Sequence, residues 1–333
     1  MRKLGKTDLY IKRVGFGGLP IQRVSQEDCD RIIDELIKND VNFIDTARGY
    51  TISEEYIGNS IKDRDYKFII ATKSMNRDYE GMKKDIDISI SNLKCEKIDI
   101  YQMHNVKIEE YDSVFEDNMA YKALLEAKKE GKIKYIGITS HNVEVIKKAI
   151  YDEKFDTIQI PYNIVENQGE EVLKLANDKN IGTIIMKPLA GGALTDAKLA
   201  LKYILSKEYI DVVIPGMDKV EQIGENISIL KDRIELTQDE MESIDKIKVE
   251  LGNSFCRRCE YCMPCVENIN IPLQFLLEGY YTRYNLKEWS TKRYESLDKK
   301  ASDCIECGLC EQRCPYDLNI REMLKNVAKV LEK

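Results

Sequence analysis

The sequence predicts an α/β chain: a closed (β/α)8 barrel of the TIM type over residues 1–251, then a small, mostly helical domain over residues 252–333. Three observations predict it. Eight short β-branched runs alternate with helical patterns up to about Leu251. No GxGxxG follows the first run, which disfavours an open doubly wound sheet. Eight of the ten cysteines fall between Cys256 and Cys314.

The strand runs are Val14–Phe16, Val41–Asp45, Lys67–Thr72, Ile98–Met103, Lys134–Thr139, Thr157–Pro161, Gly182–Met186 and Asp211–Ile214. Gly15-Phe16-Gly17-Gly18 reads as a tight turn after the first run. Ser25 precedes a helical pattern with acids in its first turn, and Ser53 is a second N-cap candidate. The run Val114–Glu130 is amphipathic and ends at Gly131, a natural C-terminal stop. Beyond Val266, the stretch IPLQFLLEGYYTRYNLKEW is apolar at helical spacing and predicts helices up to about Asp303. Its aromatic residues Phe275, Tyr280, Tyr281 and Tyr284 read as packing groups.

Composition narrows the function classes. With 43% hydrophobic and 33% charged residues among 333, the chain suits a globular fold with a large core. The net charge of −7 argues against a dedicated nucleic-acid or anionic-membrane binder. No apolar run approaches the length of a membrane span, and the first residues, MRKLGKTDLYIKR, lack the apolar segment of a signal peptide. A reducing cytoplasm is therefore expected, where clustered cysteines bind metal more readily than they form disulfides.

Barrel chemistry sits at the C-terminal ends of the strands. Asp45, Lys73 and His104 end the second, third and fourth runs. Thr139 and Ser140 end the fifth, Gln159 lies in the sixth, and Lys187 follows the seventh. Tyr50 stands five residues past Asp45. Each residue type alone suits a turn, a cap or a solvated surface. Their recurrence at successive strand ends points to a site.

The segments FIDTARGY, ATK, YQMH, GITSHN, IQIPYN, KPLAGG and IPGMDKVEQIGEN, in that order, resemble the aldo-keto reductases over roughly residues 1–250. The resemblance implies a catalytic tetrad of Asp45, Tyr50, Lys73 and His104. Its chemistry is coherent. A carbonyl that accepts hydride develops negative charge on oxygen and needs a proton donor. Tyr50 can give that proton, and a cationic Lys73 held by Asp45 would favour the phenolate left behind. His104 could orient the substrate oxygen.

The same resemblance implies that Thr139, Ser140 and Gln159 hold a nicotinamide carboxamide, and that Glu225 and Asn226 hold adenine. Lys187, with Gly191 and Gly192, could approach a pyrophosphate. Met186 stands where the family stacks a Tyr on the nicotinamide ring. Gly216, Met217 and Gln222 replace groups that grip a 2′-phosphate, leaving Lys219 as the cation of that loop. This favours NADH over NADPH, or a weak nucleotide site.

The cysteines form two runs. Cys256, Cys259, Cys262 and Cys265 make CRRCEYCMPC, and Cys304, Cys307, Cys310 and Cys314 make CIECGLCEQRCP. The second matches the CxxCxxCxxxCP run of bacterial ferredoxins, whose fourth cysteine serves the other cluster. By that rule one [4Fe-4S] cluster takes Cys256, Cys259, Cys262 and Cys314, and the other takes Cys304, Cys307, Cys310 and Cys265. The first run has a shorter last gap and Val266 in place of proline, so a single cluster stays open beside two. Zinc, held by separated CxxC pairs, is the competing metal. The long connector resembles the helical ferredoxins, and the whole chain resembles aldo-keto reductase-like oxidoreductases that carry a C-terminal ferredoxin-type domain.

Two functions follow. In the first, the chain reduces a small-molecule carbonyl with hydride from NADH or NADPH, and the clusters are appended or coupled to that reaction. In the second, it transfers single electrons while the barrel binds a substrate or partner. A ferredoxin or a flavoprotein is the class of redox partner such clusters imply.

Overall fold

The computed structural model describes residues 1–231, 234–252 and 254–332. The chain divides into two compact units. The first holds Met1–Asn163, Asn167–Leu189 and Asp196–Leu236, and the second holds Ile164–Glu166, Ala190–Thr195 and Thr237–Lys333.

The first unit begins with a hairpin that local sequence did not reveal. Strands β1 (Arg2–Lys3) and β2 (Tyr10–Ile11) pair antiparallel, with Arg2 opposite Ile11. Leu4, Leu9 and Ile11 are buried in one apolar cluster with Phe43, Ile100 and Val212. Burying a side chain of this size is worth about 1.5–3 kcal/mol, enough to hold two-residue strands in place.

Eight parallel strands follow: β3 (Phe16–Gly17), β4 (Phe43–Asp45), β5 (Ile69–Ser74), β6 (Ile98–Met103), β7 (Ile133–Thr139), β8 (Thr157–Pro161), β9 (Gly182–Met186) and β10 (Val212–Val213). Each pairs with the next in sequence. The first and last meet through bridges between Val14 and Val213 and between Gly17 and Gly216, which close the barrel. Gly17 is needed there for room: a Cβ would stand 2.8 Å from the Ile214 carbonyl oxygen. The Gly15–Gly18 segment is thus partly strand and closure point, where a simple turn was expected.

Helices α1 (Gln26–Lys38), α2 (Ser53–Ile61), α3 (Tyr79–Leu93), α4 (Ala120–Lys129), α5 (Val143–Asp152), α6 (Glu170–Asp178), α7 (Ala197–Leu205) and α8 (Val220–Ser228) complete this unit. Ser25 caps α1 by accepting from the Asp28 amide at 3.1 Å. Ser53 does not cap α2. It is the first helical residue, and its hydroxyl donates to the Gly18 carbonyl at 2.8 Å. Helix α4 starts at Ala120 and not near Val114, because Met119 is extended and only a short 3₁₀ turn, Ser113–Phe115, precedes it.

The second unit is helical: α9 (Gln238–Gly252), α10 (Ile271–Thr282), α11 (Lys287–Glu295), α12 (Leu309–Gln312) and α13 (Ile320–Leu331). Ile271, Phe275, Leu277, Tyr294, Leu324 and Val327 form its core. Tyr294 donates to Glu332 at 2.6 Å and accepts from the Ala301 amide at 2.9 Å. Tyr280 meets Tyr284 and Trp289 edge to face, so these aromatics pack as the sequence suggested. No helix among the described residues is long and apolar enough to cross a membrane.

Candidate active site and cysteine cavities

Asp45 is the last residue of β4, Lys73 lies in β5, and His104 follows β6 directly. The Lys73 ammonium donates to Asp45 Oδ2 at 2.5 Å and to the Thr46 carbonyl at 2.7 Å. Both side chains are almost wholly shielded, 1% and 3% exposed. Burial raises the Asp45 carboxyl and lowers the Lys73 ammonium, and the attraction between them opposes both shifts. Asp45 also accepts from Gln102 Nε2 at 3.1 Å and, more weakly, from Gln159 Nε2 at 3.5 Å. The pair therefore sits in a ring of amide dipoles that stands in for the water it has lost.

Tyr50 lies in the loop between β4 and α2. Its ring centroid is 5.1 Å from the Lys73 ammonium and 6.0 Å from the His104 ring, which it meets edge to face. The His104 amide donates to the Ser74 carbonyl at 2.8 Å, and Arg77 donates to the His104 carbonyl at 2.8 Å. The imidazole Nδ1 is buried without a hydrogen-bond partner. Burial, and then the charges of Lys73, Arg77 and Lys187, hold the imidazole well below its usual range. His104 is accordingly neutral near pH 7 and can present one donor and one acceptor.

The structure thus brings Asp45, Tyr50, Lys73 and His104 together. It adds Gln102, which the strand-end search passed over. Side chains alternate along a strand. Gln102 therefore shares the inner face with His104, and it pairs in register with Lys73.

Among the residues expected at a nucleotide, Thr139 and Gln159 are register partners on β7 and β8. Thr139 Oγ1 accepts from the Asn105 amide at 2.7 Å, and Ser140 Oγ donates to the Val106 carbonyl at 2.7 Å. Both hydroxyls also brace the loop after β6. Lys187 follows β9 with φ at +54°, and its carbonyl accepts from Asn163 Nδ2 at 2.9 Å. Glu225 and Asn226 stand apart from this group on α8, the first exposed and the second buried.

In the loop before α8, Met217 is fully buried. Gln222 Oε1 accepts from the amides of Asp218 and Lys219 at 2.9 and 3.1 Å, closing the start of the helix. Lys219 is not the only cation at this loop, because the fold brings Arg23 to Asp218 at 2.7 Å.

The cysteines gather in the combination that crosses the two runs. Cys256, Cys259, Cys262 and Cys314 line one cavity. Cys265, Cys304, Cys307 and Cys310 line another, where Cys262 appears again. The runs also repeat each other in backbone conformation. Arg258 and Glu306 have φ of +55° and +56°, Glu260 and Gly308 +66° and +77°, and Asn268 and Asp317 +58° and +50°. Left-handed residues of this kind create concave sets of backbone N–H groups, which suit anionic sulfur. Burial pushes the Cys256 thiol up to about 11 and Cys262 up to about 12, so thiolates there need a bound cation. Among the described residues, no three His, Cys, Asp or Glu side chains converge as a single-ion site. The donor set fits iron–sulfur clusters.

Comparison with known proteins agrees with both halves. The sequence model of the Aldo/keto reductase family matches residues 13–199 and 195–249, and that of a 4Fe-4S dicluster domain matches residues 255–319. The chain is 29% identical over 296 residues to the oxidoreductase YqkF of Bacillus subtilis, covering 73% of this chain and 94% of that protein. It is 26% identical over 302 residues to L-galactose dehydrogenase of Arabidopsis thaliana, covering 75% and 94%. It is 27% identical over 223 residues to an NADH-specific methylglyoxal reductase of Escherichia coli, covering 58% and 68%. The holo form of aldo-keto reductase AKR11C1 from Bacillus halodurans superimposes with a TM-score of 0.64 at 26% identity, over 74% of this chain and 95% of that one.

Proposed function

Because this chain belongs to the aldo/keto reductase family and carries a 4Fe-4S domain, we propose that it reduces a small carbonyl compound to an alcohol, with Tyr50 as proton donor. The chain is an oxidoreductase. The single observation that carries the finer reading is the buried Asp45–Lys73 pair beneath Tyr50, with a neutral His104 across the ring.

A nicotinamide nucleotide, when bound, would supply the hydride that the carbonyl carbon accepts. Tyr50 gives its phenolic proton to the carbonyl oxygen, which completes the alcohol. The Lys73 ammonium stabilises the phenolate that remains, and Asp45 keeps Lys73 charged and aimed. His104, neutral, donates a hydrogen bond to the substrate oxygen and sets its direction. Thr139, Ser140 and Gln159 hold the nicotinamide end. Lys187 meets the pyrophosphate, and Glu225 and Asn226 meet the adenine. The division of labour falls between residues 251 and 252. Beyond it, Cys256, Cys259, Cys262 and Cys314 hold one [4Fe-4S] cluster, and Cys265, Cys304, Cys307 and Cys310 hold a second. Clusters held there would supply one-electron chemistry toward a ferredoxin or flavoprotein, and such oxygen-sensitive centres suit a cytoplasmic protein.

The test is Tyr50→Phe in anaerobically prepared protein. General acid catalysis contributes at least about a hundredfold. The variant should lose that factor in kcat and keep its nucleotide affinity. Retention of more than about a tenth of kcat would overturn the assignment.

A further inference from the structure

The tetrad does not explain a second buried charge beside it. Glu54, in the first turn of α2, is 1% exposed, yet it lies outside the Asp45–Lys73 group. It accepts from Arg48 Nη1 at 2.6 Å, from Thr72 Oγ1 of β5 at 2.7 Å and from Ser89 Oγ of α3 at 2.8 Å. Three elements therefore meet on one carboxylate. Thr72 is the neighbour of Lys73, and strand alternation sends its side chain outward while Lys73 points in.

Arg48 is the member of this cluster that belongs to the Tyr50 loop. It stands two residues before Tyr50 in the same loop. Its amide donates to the Lys73 carbonyl at 3.0 Å, which continues the pairing of β4 with β5 beyond the strand. Its guanidinium spans two carboxylates, Glu54 on α2 and, at 3.7 Å, Asp85 on α3. Gly49, between Arg48 and Tyr50, has nothing within 4 Å of where a Cβ would lie. The Arg48 fork is thus one tie between this loop and the helices, beside the Thr46–Ser53 hydroxyl contact at 2.9 Å and the Ser53 amide, which donates to the Tyr50 carbonyl at 2.8 Å.

We propose that Arg48 and Glu54 are positioning residues for Tyr50: the buried carboxylate fixes the Arg48 fork, and the fork fixes where the phenol stands against the substrate carbonyl. The pair touches neither substrate nor nucleotide. It acts only through Tyr50, so the proposal rests on the reading of Tyr50 as proton donor. Small misplacements of a reacting group cost up to about a hundredfold in rate, so the effect belongs in kcat.

The experiment compares Arg48→Met, Arg48→Lys and Glu54→Gln, each alone and in a Tyr50→Phe background, at a temperature well below unfolding. Arg48→Met and Glu54→Gln should lower kcat about tenfold or more, with KM and NADH affinity within about twofold of wild type. Arg48→Lys keeps the cation and should recover part of the loss. In the Tyr50→Phe background neither change should lower the residual rate further, since both act through the missing hydroxyl. If Arg48→Met fails to fold, Glu54→Gln carries the test, because it keeps the size and hydrogen-bonding shape of the buried group. An unchanged kcat in a folded Glu54→Gln or Arg48→Met protein overturns the proposal. So does a full further loss in the Tyr50→Phe background, which would mean a role outside Tyr50. Full activity of Tyr50→Phe itself overturns the underlying reading, and the two failures are thereby told apart.

Discussion

Lys73→Met removes one charge from a pair that has almost no water. The Asp45 carboxylate would keep only the Gln102 amide at 3.1 Å and the Gln159 amide at 3.5 Å. Breaking a buried pair by deleting one partner costs about 3–5 kcal/mol, because the survivor stays buried and uncompensated. At about 2–4 °C per kcal/mol for a domain of this size, the barrel transition should fall by roughly 6–20 °C. The loss depends on pH with a definite sign. Burial already raises Asp45, and Lys73 is the strongest influence opposing that rise. Without Lys73 the carboxyl rises further and binds its proton in the folded state before it does when unfolded. A group raised on folding stabilises below its unfolded value, near 3.9, and that contribution disappears as pH climbs through its folded value. Lys73→Met should therefore be less damaging at pH 5 than at pH 8. The double variant Asp45→Asn with Lys73→Met strands no charge and should regain most of the stability but none of the carbonyl reduction. Anaerobic thermal and urea unfolding of the three proteins at both pH values measures this. A single variant within about 1 kcal/mol of wild type, or a double variant no more stable than the single, would refute the coupling.

Three further outcomes are expected. His104 is neutral when folded because its imidazole is held well below 6.5, so its contribution to stability is present above about pH 6.5 and is lost as pH falls. His104→Gln should flatten the acid side of the stability curve, and an unchanged slope between about pH 5 and 6.5 would contradict that environment. NADH should bind at least as tightly as NADPH, because Gln222 is used in closing α8 and Arg23 is held by Asp218. Each missing charge-assisted bond is worth about 1.5–3 kcal/mol, and calorimetry showing a clear NADPH preference would defeat this. Anaerobic protein should hold about eight irons per chain, and the cluster served by the exposed Cys307 should be lost first in air. Four irons would reduce the reading to one cluster, and two zincs without iron would replace it.

The eight barrel strands were legible because parallel strands buried on both faces read as unbroken apolar runs. Ile98–Met103, Thr157–Pro161 and Gly182–Met186 lie where the runs placed them. Asp45, Lys73 and His104 were legible for a related reason: a polar residue that ends such a run sits at the barrel mouth. What escaped depends on distant partners. The β1–β2 hairpin has two-residue strands, too short for any period. Ser53 follows the local grammar of a cap but finds the Gly18 carbonyl from another loop. Gln102 and Glu54 look like ordinary polar residues until Asp45 and Arg48 are brought against them. Arg23 and Asp218, nearly two hundred positions apart, carry no mutual signal in the chain.

The crossed lining of the two cysteine cavities bears on how this protein comes to be made. Each cavity needs cysteines from both runs, so one set is complete only once synthesis has passed Cys310 and the other once it has passed Cys314. The α10–α11 hairpin lies between the runs, and anything that bridges either cavity ties its two ends together. Such a tie lowers the freedom of the unfolded segment as a crosslink does, and the gain grows only slowly with the length enclosed. Loading the first cavity would thus gather the cysteines of the second. Cofactor insertion in this half of the molecule would therefore be a late and cooperative event, and a chain truncated before Cys304 would forfeit both sites at once.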